Sequence, residues 1–168
     1  MTDEEMRRCI GEWWWQSLGN RDLPAARARA ARLRRAQKVE VLADPAVHDL
    51  ARELGLGPAR AEALIRVVQV LAELRGRGPR LARAAGAGDP PAVSRLRFER
   101  LIRSTEEELA TAVRRVLPMV GRACDPGQLG RDVLIWDEAT RIRWSFEYFG
   151  APAPDPAAKE DTTEETGA

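Results

Sequence analysis

With 168 residues, 44% of them hydrophobic, the chain has enough apolar material for one domain or two small helical lobes, which sets it apart from low-complexity polymers. Its net charge of +1 conceals an asymmetry, because residues 151–168 hold Asp155, Glu160, Asp161, Glu164 and Glu165 against Lys159 alone and leave residues 1–150 with 26 cations and 21 acids, or +5. That body is well short of the extreme basicity of many nucleic-acid-binding domains, yet 25 of the 27 cations in the chain are Arg, whose planar fork grips phosphate with two bonds.

Good helix formers dominate and no β-branched run alternates over a useful length, so helices are expected throughout. The opening MTDEEMRRCIGEWWW has acids where a secretory leader would be basic, and no apolar run nears the ~20 residues of a membrane span. A cytoplasmic protein without membrane contact is expected. The first helix runs from about Asp3 to Leu18, with Met6, Ile10, Trp13 and Trp14 on one stripe and Trp15 about half a turn away. A basic second helix covers Pro24 to about Gln37. Asp44 and Pro45 announce a third as N-cap and first-turn proline, Val47, Leu50, Ala51 and Leu54 give it an apolar face, and Gly55 stops it. The fourth, Pro58 to about Arg75, is apolar nearly all round and should be central. A short basic helix over Pro79 to Ala85 precedes Gly86 to Pro91, whose composition marks a lobe boundary.

Phe98, Leu101 and Ile102 then form one face of a helix ending near Arg103. Ser104 is expected to cap the next, with Glu107 completing a capping box, and Leu109, Ala112, Val113, Val116, Leu117 and Val120 follow the helical period until Pro118 disturbs the last turn. Asp125 and Pro126 open another helix reaching about Trp136, and Asp137 caps the last, whose buried face is expected to be Ala139, Ile142, Phe146 and Phe149. The fold expected is all-α: a two-lobed helical bundle of about eight or nine helices, with lobes at 1–86 and 92–150 and a disordered acidic C-terminal tail at 151–168.

Catalytic chemistry has little to work with. The single histidine, His48, lies within the third helix and reads as a surface residue; Cys9 and Cys124 are far apart and form no CxxC pair, so neither a metal site nor a disulfide framework is suggested. Phosphate-cradling glycine motifs, GxSxG and HExxH are missing. Asp125, Asp132, Asp137 and Glu138 are the nearest carboxylate cluster, but two of them sit at cap positions where acids are expected anyway. No catalytic residue, cofactor or metal is expected.

The arginines are more informative. Arg27, Arg34 and Lys38 fall at i, i+7, i+11 on the second helix without an acid four residues before any of them, and Arg35 widens the stripe. Arg97, Arg100 and Arg103 project away from the side bearing Phe98, and Arg114 and Arg115 lie off their helix's apolar stripe. Arg141 accompanies Trp144 and Tyr148 opposite Ile142 and Phe146. Solvated faces with i,i+4 partners explain part of this, as with Glu99 and Arg103 or Asp137 and Arg141. Among the aromatics, Trp13, Trp14, Trp136 and Phe149 read as core or lobe contacts, whereas Trp144 and Tyr148 are the pair left open as interface residues.

Several segments together resemble the CasB-type small-subunit family of the type I-E CRISPR Cascade complex. Trp15, Leu18, Gly19 and Arg21, followed by Arg27, Ala28, Leu33, Arg34 and Arg35, resemble that family's tryptophan helix and basic second helix. The stretch Arg97, Phe98, Arg100, Leu101, Ile102, Arg103, then Val133, Leu134, Trp136, Asp137, then Arg141, Arg143, Trp144, Tyr148, Phe149 matches in order and spacing. The resemblance covers about residues 10–40 and 92–150, and the middle joins only through its helix pattern and Arg60. It implies a non-catalytic subunit of a crRNA-containing assembly, partnered by a large subunit, backbone subunits and a second copy of itself, and holding the displaced single-stranded DNA and the target strand. Carried over by position, the phosphate contacts it implies are Arg21, Arg27, Arg34, Arg35, Arg60, Arg97, Arg103, Arg141 and Arg143. A helical adaptor binding only protein is the main competing expectation; a helix-turn-helix regulator would have only Gln37 to read bases from the second helix.

Overall fold

The computed structural model describes residues 1–150, so the expected disordered tail at 151–168 lies outside the described residues. Among them there are ten α-helices and no strand: α1 (Asp3–Trp14), α2 (Pro24–Arg35), α3 (Lys38–Val41), α4 (Pro45–Leu54), α5 (Ala61–Leu71), α6 (Leu81–Gly86), α7 (Arg95–Ile102), α8 (Glu106–Val116), α9 (Pro126–Leu134) and α10 (Glu138–Tyr148). The four-residue α3 is the helix that periodicity did not suggest.

Caps set most of the boundaries. Asp44 accepts from the Ala46 amide, Pro45 opens α4, and Gly55 ends it in the left-handed conformation at φ 66°. Asp125 and Asp137 cap α9 and α10 in the same way. At α8 the cap lies one residue later than expected, since Thr105 and Glu108 form the capping box. Ser104 is diverted: its hydroxyl donates to the Arg100 carbonyl, and its own carbonyl accepts from the Trp136 indole at 2.9 Å. The first helix does not reach Leu18 as a regular helix but widens into a π turn over Trp15–Gly19, and a Cβ at Gly19 would lie 2.6 Å from the Trp14 ring. The fourth expected helix begins as a 3₁₀ turn at Pro58–Arg60 and stops at Leu71.

Helix α5 is the centre, with eight of its eleven residues buried, Arg66 among them. That guanidinium is satisfied by the Val133 carbonyl at 3.2 Å and the Glu106 carbonyl at 3.1 Å. Buried apolar side chains from Ile10 to Tyr148 form one continuous cluster, so helices on both sides of residues 86–91 contribute to the same core. Helix α1 packs along α9, and α5 packs against both α8 and α9. The α1–α9 crossing depends on missing side chains. A Cβ at Gly127 would stand 2.3 Å from the Arg7 carbonyl oxygen, and one at Gly130 2.4 Å from Ile10.

Helix α10 is turned the other way from the expectation. Ile142 (47% exposed), Phe146 (38%) and Phe149 (65%) face outward, while Trp144 and Tyr148 are buried. Both faces are apolar enough to go inside. The face that does has matched polar tips: the Trp144 indole donates to Asp132 at 2.8 Å and the Tyr148 hydroxyl to the Val93 carbonyl at 2.6 Å. Tyr148 stacks on Phe98 at 4.0 Å, and Trp144 meets Trp136 edge-on at 5.0 Å. Trp144 and Tyr148 are therefore core residues, and Phe149 is a surface one.

Candidate nucleic-acid interface

A guanidinium is available to a polyanion only when no carboxylate already holds it, so ion pairs sort the arginines. Asp44 holds Arg29 at 3.3 Å and also Arg32. Glu73 takes Arg114 at 2.9 Å and Arg122 at 2.5 Å. Buried Glu147 is met by Arg80 at 2.6 Å. Asp132 is 2% exposed and receives Gln128 at 2.9 Å and Arg131 at 3.3 Å as well as Trp144 and Arg143. Burial pushes its carboxyl above the usual range, while the Arg143 charge and the hydrogen bonds from Trp144 and Gln128 pull against that. Arg143, one of the nine positions carried over from the family resemblance, thus points inward to Asp132 and lies 3.9 Å from Glu147. Lys38 leaves the expected stripe altogether, because α2 ends at Arg35 and Lys38 pairs with Glu62 at 2.8 Å.

Arg21, Arg34 and Arg75 are different. Arg21 follows the π turn, and its Nη2 donates to the Leu74 carbonyl at 3.1 Å while its Nε is buried without a partner. Burial lowers its pKa, and the neighbouring charges of Arg34 and Arg75 lower it further. Among the described residues no carboxylate is bonded to any of the three. A part-buried guanidinium that also feels two like charges is one that an anion would relieve. Exposed Arg27 donates to the Arg21 carbonyl, so its chain end joins this group. Arg35 is exposed one residue further along α2 and has no carboxylate partner among the described residues.

A second basic surface lies between α7 and α8, in an open groove of about 720 Å³. Arg97 and Arg100 from α7 and Arg115 from α8 line it, with Leu101 and Val116 below and Glu107 and Glu108 at the start of α8. The Arg97 guanidinium approaches the Met119 sulfur at 3.5 Å, and none of the three arginines is paired with a carboxylate among the described residues. Arg103 is exposed just beyond Ile102 and is also unpaired there. Glu73 and its arginines brace the first group from behind: Arg114 reaches the Arg34 carbonyl, and the Arg75 amide donates to the Arg122 carbonyl at 2.8 Å.

Arg60 and Arg141 are placed elsewhere, against the segment 134–136. Arg60 donates to the Leu134 carbonyl at 3.1 Å; Arg141 lies 5.6 Å over the Trp136 ring with its Nε buried and unpartnered. The structure thus gathers Arg21, Arg27 and Arg34 into one group and puts Arg97 in another. Arg75, Arg100 and Arg115 join them although they are not among the nine. Arg75 lies beyond its helix, where no periodicity applies; Arg100 and Arg115 could have been picked out because neither has an acid four residues before it.

No group of three or more His, Cys, Asp or Glu side chains among the described residues could hold a metal ion. None of the described helices is long and apolar enough to cross a membrane. The comparisons with curated proteins and with solved structures found no match. The family model for CRISPR-associated protein Cse2 matches residues 29–149, which takes in Arg34, Arg75 and the whole α7–α8 surface and begins after Arg21 and Arg27. An all-helical chain with unpaired arginines, matched by that model over more than half its length, belongs to the Cse2 (CasB) family, which implies a small-subunit role in type I-E Cascade and CRISPR defence.

Proposed function

We propose that the chain acts as a non-catalytic small subunit that holds nucleic acid without reading its sequence, stabilising the R-loop and the displaced non-target strand. The observation that carries this reading is Arg21, a part-buried guanidinium anchored on the Leu74 carbonyl with its Nε unpartnered, on which the charges of Arg34 and Arg75 both act and to which no carboxylate of the described residues is bonded. Phosphate contacts there would be independent of base identity and would release counterions, giving sequence-tolerant, salt-sensitive binding. Exchange of a DNA duplex for a guide–target duplex is nearly balanced, so a few such contacts can tip it. In this reading the crRNA-bearing assembly, its large and backbone subunits, a second copy of the chain and the target strand are the partners.

The test is made in the assembled complex. Arg21→Gln with Arg34→Gln should shorten the lifetime of the R-loop while leaving assembly on the guide RNA unchanged. Equal loss of both, or of neither, would count against the proposal. A second reading, a helical adaptor that touches only protein, is favoured by the outward apolar face of Ile142, Phe146 and Phe149. It predicts that Phe146→Ser disrupts assembly and that the arginine substitutions change nothing.

A further inference from the structure

Four of the five tryptophans, Trp13, Trp14, Trp136 and Trp144, are at most 4% exposed, whereas Trp15 is 45% exposed. It starts the π turn, and its ring is not needed to close the core, because Trp14 beside it fills that place and donates its indole N–H to the Leu71 carbonyl at 3.2 Å. The Arg77 guanidinium lies over the Trp15 ring at 5.8 Å and over Trp14 at 5.4 Å. Arg77 belongs to the same short segment that forms the phosphate group: the Leu74 carbonyl receives Arg21, and Arg75 lends its charge to Arg21. The segment is held from behind. The Arg75 amide donates to Arg122, Gly76 bridges to Ala123, and the Pro79 carbonyl accepts from the Asp125 amide at 2.9 Å.

An exposed indole with a guanidinium 5.8 Å from its ring centre, next to unpaired arginines on a fixed segment, combines the two parts that single-strand sites use: a π surface for a base and cations for its phosphates. We infer that Trp15 and Arg77 form a base-stacking site adjoining the Arg21–Arg34–Arg75 group, so that this face takes a single strand with an unstacked base in preference to closed duplex. The inference rests on the nucleic-acid reading above and adds to it the form of the ligand. Duplex DNA keeps its bases stacked inside and can offer this site only phosphates. The plain alternative is that Arg77 merely shields two indoles from water, which requires nothing of a ligand.

The two are separated with the full-length chain and two probes, a short oligo-dT and an abasic oligomer of the same length and charge. Trp15→Ala should weaken oligo-dT binding roughly 5- to 150-fold, the range for loss of one stacked base, and leave abasic binding unchanged, while Trp15→Phe retains most of the affinity. In the unmodified protein, oligo-dT should quench tryptophan emission and protect it from iodide, and the abasic oligomer should do neither. Equal weakening toward both probes, or no weakening with unquenched emission, would overturn the stacking site and leave the phosphate group standing. If the unmodified protein binds neither probe, the nucleic-acid reading fails and the stacking site with it.

Discussion

The Trp144 indole N–H donates to Asp132 at 2.8 Å, and this bond between α10 and α9 accompanies the choice of which face of α10 is buried. Asp132→Ala would leave the indole and the Gln128 amide without their acceptor in a site that is 2% exposed and take from Arg143 its nearest carboxylate, while Arg131 keeps Asp3 at 2.6 Å. A loss of about 3–5 kcal/mol is expected, as when one partner of a buried ion pair is removed. Trp144→Phe keeps the ring and loses the bond, and should cost only about 1 kcal/mol. Urea denaturation of the two variants checks the order.

The α1–α9 crossing predicts a contrast among glycines. Gly127→Ala drives a methyl to 2.3 Å from the Arg7 carbonyl oxygen, backbone that cannot step aside, and should destabilise by about 3 kcal/mol or more. At Gly11 the nearest obstacle to a Cβ is the Gly127 Cα at 3.7 Å, an ordinary contact, so Gly11→Ala should change stability by less than about 1 kcal/mol. Thermal unfolding reads this as a midpoint drop of roughly 6–12 °C for Gly127→Ala and little change for Gly11→Ala.

Asp44 gives a pH dependence. Burial pushes its carboxyl up, but the Ala46 amide, the Arg32 hydrogen bond and the charges of Arg29 and Arg32 outweigh it and hold the carboxyl below the usual 3.8. A carboxyl depressed on folding contributes stability that is complete above its unfolded value and disappears as pH falls through the folded one. Wild type should therefore lose stability as pH drops below about 4, the unfolded value in the same comparison. Asp44→Asn keeps the helix cap but loses the charge that holds Arg29 and Arg32, and should start about 1 kcal/mol lower at neutral pH, change less in that window and converge with wild type in acid. Urea midpoints collected from pH 6 downward test this.

Both thiols are pushed up to about 12: Cys9 by burial and its hydrogen bond to Glu53, Cys124 by burial. Thiolate is the reactive form, so in the native protein at pH 8 both should resist iodoacetamide, and both should react in urea. Mass spectrometry of the alkylated chain gives the answer. Rapid native labelling of Cys124 would mean that the core opens locally.

The features legible in the sequence are those that local chemistry decides. Asp44 with Pro45, Asp125 with Pro126, and Asp137 declared their helices because a cap acts within three residues, and the apolar run in α5 could belong only to a central helix. What stayed hidden depends on partners far along the chain. The orientation of α10 turns on Asp132 and Val93, the availability of Lys38 on Glu62, and the inward turn of Arg143 on Asp132. No helical period contains those partners. The Arg21–Arg34–Arg75 group was only partly visible for the same reason: Arg21 and Arg34 could be named one by one, but the influence of Arg75 on Arg21 depends on the π turn after α1 and the turn after α5, whose Leu74 carbonyl holds Arg21.

The central claim is that the Arg21–Arg34–Arg75 group takes phosphates, and the salt dependence of single-strand binding tests it most directly. Affinity for two oligomers of unrelated sequence should fall linearly on a log–log plot against salt, and Arg34→Ala should reduce the slope by about 0.7 for both, the loss of one phosphate contact on a single strand. Arg143→Ala, which removes an arginine already held by Asp132, should leave the slope unchanged in whatever fraction remains folded. A slope unaffected by Arg34→Ala, or reduced equally by Arg143→Ala, would contradict the account.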